Sequence, residues 1–475
     1  MKRFFAAAFA LGLTAMLVHV PSASAASGGA TSLSQQQADE LTASYMYLTQ
    51  DFYQKVDSQN VLTGAHTALL TFLKTEGVKD PKIAEPHATS DDLNNVRELQ
   101  REVDEAIDTY GNKVSATKIA YAAISGVLGS VKDRYTVFLD PKSFAELNEG
   151  LDGTSFGGVG LTYSIDDQTK NIRVENVIID GPADKAGLRG DDEISAINDR
   201  TVKDIIAGAP LDVQQSRIQK LLRGEPGTKV KLALVRADAP IDPVVVTRDT
   251  IKPPSVFAKL LPGDIGYAQL SVFGQNTGSE LNAALNRLQS QGAKAYVLDL
   301  RYNGGGYLNA AIDVSSKFIA SGPIVTVRSR AGQSTEYDAE NIAIAPRPLA
   351  VLVNGYTASA SEITAGAIED SGVGTLIGTK TFGKGVVQTI FPLRDGSAVK
   401  ITTARYYTPD GHDINTIGIQ PQIEADIPKG TKIRPGYPDD DPQLTKAIAF
   451  LQQKIADVNA ATTTAAAVTA PTTVH

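Results

Sequence analysis

Beyond Pro254 the sequence alternates between short apolar runs and longer segments with helical periodicity, and this alternation limits the fold more than any other feature. Strands are predicted at IGYAQLSV, AYVLDLR, LAVLVN, TLIGT and VKITTARYY, and helices at GSELNAALNRLQSQ, LNAAIDVSSKFIA and ASEITAGAIED. Strands that are separated by helices of this length build an α/β core with parallel strands. The second half of the chain is therefore predicted to contain such a core.

Different patterns precede and follow this core. Residues 35–149 carry apolar side chains every three or four positions, which predicts helices. Residues 153–249 form short β-rich runs that are separated by glycine turns. After Pro435 the run LTKAIAFLQQKI predicts one amphipathic helix, and the low-complexity AATTTAAAVTAPTTVH is predicted to be disordered. A chain of 475 residues has room for two or three domains.

The composition excludes several classes of protein. A net charge of −8 without a basic stripe argues against a nucleic-acid partner, because nothing would neutralise the phosphates. The chain has no cysteine, so it has no disulfide, cysteine nucleophile or thiolate metal site. Its five histidines include no HExxH pair, and no metal site is predicted.

The first residues have the order of a secretory signal peptide. Lys2 and Arg3 precede the apolar residues 4–18, and the small residues 23–25 provide a cleavage site. This order predicts export to the periplasm or the extracellular space, with cleavage after Ala25. The alternative is an uncleaved anchor that leaves the protein associated with a membrane.

Two short segments, TASASEI (357–363) and TFGKGVVQ (381–388), carry the candidate chemistry. Ser359 opens a predicted helix after a buried strand, where backbone N–H groups and the helix dipole favour a negatively charged oxygen. Lys384 lies between two glycines, and a lysine becomes a usable base when burial lowers its pKa. The pair predicts a serine–lysine hydrolase, and an ordinary N-cap role is the alternative for Ser359.

These segments resemble the C-terminal processing peptidases, also called tail-specific proteases. In that family the nucleophile is the middle serine of an ASASE run, the base is the lysine of an FGKG run, and a glutamine follows four residues later. The resemblance implies Ser359 as the nucleophile, Lys384 as the general base and Gln388 as the residue that orients the amine. It extends over about residues 120–425, includes DRYTVFLDP as the segment that leads into a PDZ domain, and implies a crotonase-like core.

The run DLRYNGGGYL (299–308) ends a predicted strand with three glycines and then starts a helix. Such a turn leaves backbone N–H groups free to bind an oxyanion. By resemblance to the family's DLRxNxGGxL run, the donors are the N–H groups of Gly306 and Ala360, with Gly305 as the alternative to Gly306. Many members have proline where this chain has Gly304.

The β-rich part resembles a PDZ domain of the bacterial protease type, with FGGVGLTY, GPADKAG and EISAIND in the expected order. A glycine loop exposes successive N–H groups that can hold a terminal carboxylate, while the adjacent strand adds a peptide to the sheet edge. The carboxylate loop is assigned to Gly158, Val159 and Gly160, with Phe156 and Leu161 beside the side-chain pocket.

Other polar residues near these motifs are given structural roles. Ser361 shares the serine motif but points to a different helix face, so it is predicted to be a packing or capping residue. Asp299 and Arg301 are predicted to fix a strand end through a salt bridge. His412 is predicted to lie in a surface turn.

The predicted fold class is multidomain α/β, in six consecutive parts. These are a signal peptide (1–25), a helical N-terminal scaffold (26–149), a β-rich PDZ domain (150–252), a crotonase-like α/β serine protease core (253–430), a C-terminal helix (431–456) and a low-complexity tail (457–475).

The predicted function is that of an exported serine endopeptidase, which binds the C-terminus of protein or peptide substrates and needs no cofactor. An adaptor protein and a second copy of the chain are two further partners on which the sequence does not decide. One alternative is a catalytically inactive PDZ-containing binding or scaffold protein. The other is a crotonase-like acyl-CoA enzyme, against which the signal peptide and the PDZ domain argue.

Overall fold

The computed structural model describes residues 31–468, with gaps at 153–154, 167, 179–180, 190–191, 209–210, 238, 253, 429–432 and 434. The predicted signal peptide lies outside the described residues. In the part of the chain that is described, no helix has both the length and the apolar character that a membrane span requires.

The N-terminal region is a bundle of four helices, which are α1 (Gln35–Asp51), α2 (Ser58–Thr75), α3 (Asp92–Tyr110) and α4 (Ala116–Gly129). Each of the first three begins after a residue whose side-chain oxygen accepts a hydrogen bond from the first turn, namely Ser34, Asp57 and Asp91. Their apolar faces meet in one buried core, to which Leu41, Leu62, Leu99 and Ile124 belong. The bundle is therefore built as the helical periodicity predicts.

The bundle is joined to the rest of the protein by a short strand and a helix. Strand β1 (Val137–Leu139) pairs with a strand of the second half of the chain, and α5 (Pro141–Asp152) follows it. Val399 and Ile401, which come from that distant strand, are part of the bundle's own hydrophobic core. The helical scaffold and the second half of the chain therefore share one buried surface.

The described residues of the β-rich region form eight strands and three helices. They are β2 (Phe156–Gly158), β3 (Leu161–Ile165), β4 (Ile172–Val177), α6 (Pro182–Lys185), β5 (Glu193–Ile197), β6 (Arg200–Thr201), α7 (Val202–Ile206), α8 (Leu211–Leu222), β7 (Lys229–Arg236), β8 (Ala239–Thr247) and β9 (Asp249–Ile251). The main sheet has the order β3-β4-β5-β7-β8, while β6 pairs with β5 and β2 pairs with β9. Within the described residues β3 pairs with β4 alone, so its outer edge is open to an added strand.

The second half of the chain is built on a six-stranded sheet of order β10-β11-β12-β15-β16-β19. Its elements are β10 (Val256–Leu261), β11 (Ile265–Leu270), α9 (Thr277–Ser290), β12 (Ala295–Asp299), α10 (Leu308–Ser316), β13 (Pro323–Ser329), β14 (Ser334–Asp338), β15 (Leu349–Val353), α11 (Ala360–Asp370), β16 (Thr375–Gly378), β17 (Val386–Pro392), β18 (Ala398–Tyr407) and β19 (Ile423–Glu424). Every pairing in this sheet is parallel except that of β10 with β11. Buried residues cover both faces, as parallel strands require.

One predicted strand belongs to a different sheet. The run VKITTARYY is in β18, which pairs antiparallel with β1, β13 and β17 rather than joining the parallel sheet. A connection of only five residues, 393–397, joins β17 to β18, and a connection this short can link only antiparallel strands.

The C-terminal helix is longer than predicted. Helix α12 (Pro442–Val468) follows a short 3₁₀ turn at Pro438–Asp440, whereas the sequence predicts one helix within 431–456, a low-complexity tail from 457 and disorder from 460. The helix therefore extends into residues for which disorder is predicted. Alanine has the highest intrinsic helix propensity, so an alanine-rich segment can extend a helix that is already formed.

Helices α2 and α4 cross where both carry glycine, and this crossing gives a test of the bundle. A Cβ atom at Gly126 would lie 2.6 Å from the backbone oxygen of Gly64 and 2.7 Å from the Cα atom of Ala65. Gly126→Ala should therefore lower the free energy of unfolding by about 1–3 kcal/mol, despite the better helix propensity of alanine. Thermal unfolding followed by circular dichroism measures the change.

Gly129 of the same helix provides the matched control. A Cβ atom there would meet nothing within 4 Å, so Gly129→Ala should leave the midpoint of thermal unfolding unchanged or raise it. Equal midpoints for Gly126→Ala and the wild type would contradict the close contact of the two backbones.

Candidate active site

Ser359 lies at the carboxyl end of the parallel sheet, between β15 and α11. It is half-buried and has φ = 56° and ψ = −118°, so its backbone is in a left-handed region that residues other than glycine rarely adopt. A strained residue at the start of a helix, next to a glycine loop, is typical of a functional site. Ser361 is completely buried, and its hydroxyl donates to the backbone oxygen of Asn303 over 2.9 Å. These contacts agree with the structural role predicted for Ser361.

Lys384 is half-buried in the segment between β16 and β17. Its Nζ atom lies 4.8 Å from the centre of the Tyr135 ring, and it has no hydrogen-bond partner among the described residues. Burial lowers the pKa of the amine to about 8, and the positive charges of Lys400 and Arg134 contribute to this shift. A substantial fraction of this amine is therefore neutral near pH 8 and able to accept a proton.

The carboxylate of Glu362 connects the segments that carry these two residues. Glu362 is fully buried, and its Oε2 atom accepts hydrogen bonds from the backbone N–H of Ser359 at 3.0 Å and of Lys384 at 2.9 Å. Its Oε1 atom accepts from the hydroxyl of Thr381 at 2.5 Å and from the N–H of Gly383 at 2.7 Å. Four donors satisfy this buried carboxylate and hold the two segments together.

Tyr406 of β18 provides a second connection between the same two residues. Its hydroxyl lies 2.5 Å from the backbone oxygen of Lys384 and 3.1 Å from that of Ser359. Burial, with the nearby charge of Glu362, raises the pKa of this phenol well above its usual value. Tyr406 therefore stays protonated and donates to these carbonyl groups.

The glycine loop after β12 lies against the start of α11. A Cβ atom at Gly305 would be 2.8 Å from the Cβ atom of Ser359 and 2.9 Å from the backbone nitrogen of Ala360. The N–H of Gly305 already donates to the side chain of Asn303 over 2.9 Å. In the described part of the chain, the N–H groups of Gly306 and Ala360 have no acceptor. Gly306 and Ala360 are therefore better placed than Gly305 to stabilise an oxyanion.

Gln388 is in β17, and its side chain has hydrogen-bond partners other than the predicted one, the amine of Lys384. Its Nε2 atom lies 3.4 Å from the backbone oxygen of Val386 and 3.4 Å from the hydroxyl of Thr402. Neither contact involves the amine of Lys384. The role of Gln388 as the residue that orients the amine stays a prediction.

Four residues that shape this site are not among those predicted from the sequence. Tyr135 and Arg134 come from the helical scaffold, and the Arg134 guanidinium lies 4.6 Å from the centre of the Tyr135 ring. Glu362 and Tyr406 come from the second half of the chain. DRYTVFLDP contains the first two residues, but its resemblance to the segment that leads into a PDZ domain does not indicate their place beside Lys384. The spacing of Ser359 and Glu362 is that of a capping box, in which Glu362 accepts from the N–H of Ser359, but no local signal indicates the contacts of Glu362 with residues 381–384.

The predicted carboxylate loop begins at the last residue of β2, Gly158, which pairs with Asp249 of β9, and ends at Gly160 before β3. The backbone oxygens of Val159 and Gly160 accept hydrogen bonds from Ala183 at 2.8 Å and Ile178 at 3.0 Å. Gly160 has φ = 75°, a conformation that suits glycine. Within the described ranges, the N–H groups of Val159 and Gly160 have no acceptor. The loop is thus held through its oxygens, and two of its donors remain available.

The other polar residues that the sequence analysis discussed lie apart from the reacting groups. His412 is exposed in the turn after β18, as predicted. Arg301 forms buried ion pairs of 2.6 Å with Asp299 and with Asp441, which precedes α12. Tyr267 donates to Asp299 over 2.7 Å. This cluster attaches the C-terminal helix to the strand end, which agrees with the structural role predicted for Asp299 and Arg301.

Comparison with known proteins gives matches over both halves of the chain. The profile of peptidase family S41 matches residues 264–425, and a PDZ domain profile matches residues 173–236. The carboxy-terminal processing protease CtpA of Bacillus subtilis (strain 168) is 35% identical over 336 residues, which cover 70% of each chain. The carboxy-terminal-processing protease of Bartonella bacilliformis (strain ATCC 35685 / KC583 / Herrer 020/F12,63) is 37% identical over 75% of this chain and 81% of its own. A solved structure, of a photosystem II D1 C-terminal processing protease, is 29% identical, covers 84% of this chain and 95% of that chain, and has a TM-score of 0.45.

The fold and the matched regions define a class of peptidase in which a PDZ domain precedes a catalytic core of family S41. The chain belongs to the carboxy-terminal processing proteases of that class. The predicted family and the predicted multidomain α/β fold with a PDZ domain are thereby confirmed.

Glu362→Gln tests the connection between the two catalytic segments. An amide would present N–H groups where backbone N–H donors now point, so one or two of the four hydrogen bonds would be lost. We expect Ser359 to react with a fluorophosphonate probe about tenfold to a hundredfold more slowly, which corresponds to roughly 1.4–2.8 kcal/mol. Labelling rates measured well below the unfolding midpoint provide the test.

Glu369→Gln is the control, because Glu369 is in the same helix and its side chain makes no hydrogen bond within the described residues. It should be labelled at the rate of the wild type. Wild-type reactivity of Glu362→Gln would show that the four hydrogen bonds do not position the serine.

Proposed function

We propose that this protein is an exported serine endopeptidase, which binds the C-terminus of a protein substrate through its PDZ domain and cleaves by a Ser359–Lys384 mechanism. One observation carries the proposal. The buried carboxylate of Glu362 accepts hydrogen bonds from the backbone N–H groups of both residues, and burial lowers the pKa of the lysine to about 8.

In the proposed reaction the neutral amine of Lys384 removes the proton of Ser359, whose Oγ attacks the carbonyl carbon of the peptide bond. The N–H groups of Gly306 and Ala360 stabilise the oxyanion of the tetrahedral intermediate. The ammonium group then returns the proton to the leaving amine, and an acyl-enzyme remains. Water activated by Lys384 hydrolyses this ester and restores Ser359. Gln388 is proposed to orient the amine.

Substrate capture is proposed for the PDZ domain. The N–H groups of Gly158, Val159 and Gly160 bind the terminal carboxylate, and the last residues of the substrate add to the open edge of β3. Two of these donors have no acceptor in the described part of the domain, which supports the assignment. Proteins and peptides with accessible C-termini are the proposed substrates. An adaptor and a second copy of the chain stay open as partners.

Export is proposed from the order of the first 25 residues. A basic start, an apolar stretch and a small-residue cleavage site are the three parts of a secretory signal. We place the mature enzyme in the periplasm or the extracellular space, and an uncleaved signal would instead leave it at a membrane.

A neutral lysine predicts a definite pH dependence. The amine is protonated and inactive below its pKa, so kcat/KM should rise with pH and level off above about pH 8. Both Lys384→Ala and Lys384→Arg should lower kcat at least about a thousandfold, because alanine has no base and arginine stays charged. Cleavage of an unfolded protein substrate between pH 6 and 10 measures both effects.

Ser359→Ala and His412→Ala are the controls for this experiment. The first should be as inactive as the lysine variants, whereas the second should keep most of the activity because His412 lies in an exposed turn. Substantial turnover by Lys384→Arg, or an activity that peaks near pH 5, would contradict a neutral lysine base. A folded wild type that reacts with no serine probe would indicate the inactive binding protein instead.

The PDZ assignment predicts a preference for a free carboxylate. A peptide that ends in apolar residues should bind in its acid form and change the cleavage of a second substrate. Its amidated form should bind at least about tenfold more weakly, because the loop N–H groups lose their anionic partner. Fluorescence anisotropy with the Ser359→Ala protein measures binding without cleavage. Equal affinity for the two forms would refute carboxylate capture.

A further inference from the structure

Two exposed tyrosines stack on each other beside the candidate active site. Tyr302 is 56% exposed and Tyr356 is 68% exposed, although both rings are large and largely apolar. Their centres lie 5.4 Å apart and their planes differ by 25°, which is an offset stack. In the described residues neither hydroxyl has a hydrogen-bond partner. Each ring therefore keeps its outer face open to a ligand.

The backbone holds this pair in a fixed position. The side-chain oxygen of Asn354, which is itself buried, accepts hydrogen bonds from the N–H of Tyr302 at 3.1 Å and of Tyr356 at 3.0 Å. The hydroxyl of Thr357 in turn donates to the backbone oxygen of Leu300 over 2.9 Å. One amide thus joins the loop after β12 to the loop after β15. The rings are presented on a rigid support.

The conformation of Tyr302 also indicates a function. Its φ of 61° lies in the left-handed region, where a bulky side chain is unfavourable by about 1–2 kcal/mol. Glycine or asparagine would adopt this backbone conformation with less strain. The backbone therefore does not explain why an aromatic ring stands here, and the exposed ring itself needs an explanation.

The two tyrosines are close in sequence to the proposed reacting groups. Tyr356 precedes Ser359 by three residues, and Tyr302 precedes Gly306 by four. These chain lengths limit the Cα separations to about 11 Å and about 14 Å. An extended substrate advances about 3.3 Å per residue. The pair therefore lies no farther from the proposed reacting groups than about three or four residues of an extended substrate span.

A third exposed aromatic ring near the site, that of Phe382, already contacts a side chain of the protein. Phe382 is tied to the nucleophile loop through a 3.0 Å hydrogen bond from its N–H to the backbone oxygen of Thr357. The guanidinium of Arg134 lies 5.0 Å from the centre of its ring. The open faces of Tyr302 and Tyr356 have no such neighbour in the described chain.

We propose that the stacked pair of Tyr302 and Tyr356 is a substrate subsite, which binds an apolar or aromatic side chain about three or four residues from the scissile bond. This inference rests on the proposed peptidase function and adds a sequence preference to it. The occupant is a segment of the substrate chain, because the pair is carried by the two loops that hold the nucleophile and the oxyanion donors. Contact with an aromatic face favours planar and apolar side chains.

The test uses casein, an unfolded protein with many potential cleavage sites, and maps the products by mass spectrometry. The double variant Tyr302→Asn and Tyr356→Ala removes both rings, and asparagine tolerates the left-handed backbone. We expect kcat/KM for casein to fall about two- to tenfold. An enrichment of apolar and aromatic residues about three or four positions from the wild-type cuts should disappear. The rate at which a fluorophosphonate labels Ser359 should not change.

Two further proteins serve as controls. The double variant Tyr302→Phe and Tyr356→Phe keeps both rings and should cleave as the wild type does. Leu93→Ala removes an equally exposed apolar side chain from α3 and should have no effect.

Each contrary outcome has a separate meaning. A wild-type rate and wild-type cleavage preference in the Asn/Ala variant would overturn the subsite. Slower fluorophosphonate labelling of that variant would also overturn it, because the rings would then support the loops rather than the substrate. A wild type that neither labels nor cleaves would overturn the proposed function, and the subsite with it.

Discussion

The candidate site depends on one buried carboxylate. Glu362 is in the first turn of α11, and its two oxygens accept four hydrogen bonds from two separate stretches of chain, Ser359 and residues 381–384. A buried charge is tolerated only when such donors surround it, so the carboxylate and the segments around it stabilise one another. Ser359 and Lys384 cannot separate without exposing Glu362 or leaving it unpaired.

The chemistry of the lysine is set by parts of the protein that are distant in sequence. Tyr135 and Arg134 reach Lys384 from the helical scaffold, while Lys400 belongs to β18. Burial and these positive charges disfavour the ammonium form, and the pKa falls accordingly. The scaffold shares its hydrophobic core with β18, so its docking and the basicity of the lysine are physically linked.

A second set of buried charges stabilises the other side of the parallel sheet. Asp299, Arg301 and Asp441 form a buried cluster, in which the guanidinium is held by two carboxylates. Such a cluster is costly if one partner is removed, so it attaches α12 firmly to the strand that precedes the glycine loop. The glycine loop, the turn that carries Ser359 and the two stacked tyrosines all begin from strand ends that this framework holds in place.

The sequence by itself determined the local features of this protein. Alternating runs predicted the parallel core, and the serine, lysine and glycine segments predicted the candidate site, because periodicity and backbone freedom are local properties. Tertiary structure decided that β18 joins a second sheet, that Glu362 and Tyr406 connect the catalytic segments, and that Tyr302 stacks on Tyr356. Each of these depends on contacts between residues far apart in the chain. No local pattern encodes the contacts of Glu362 with residues 381–384, those of Tyr406 or the stacking of the two rings, since such a contact is defined only by the partners that folding brings together.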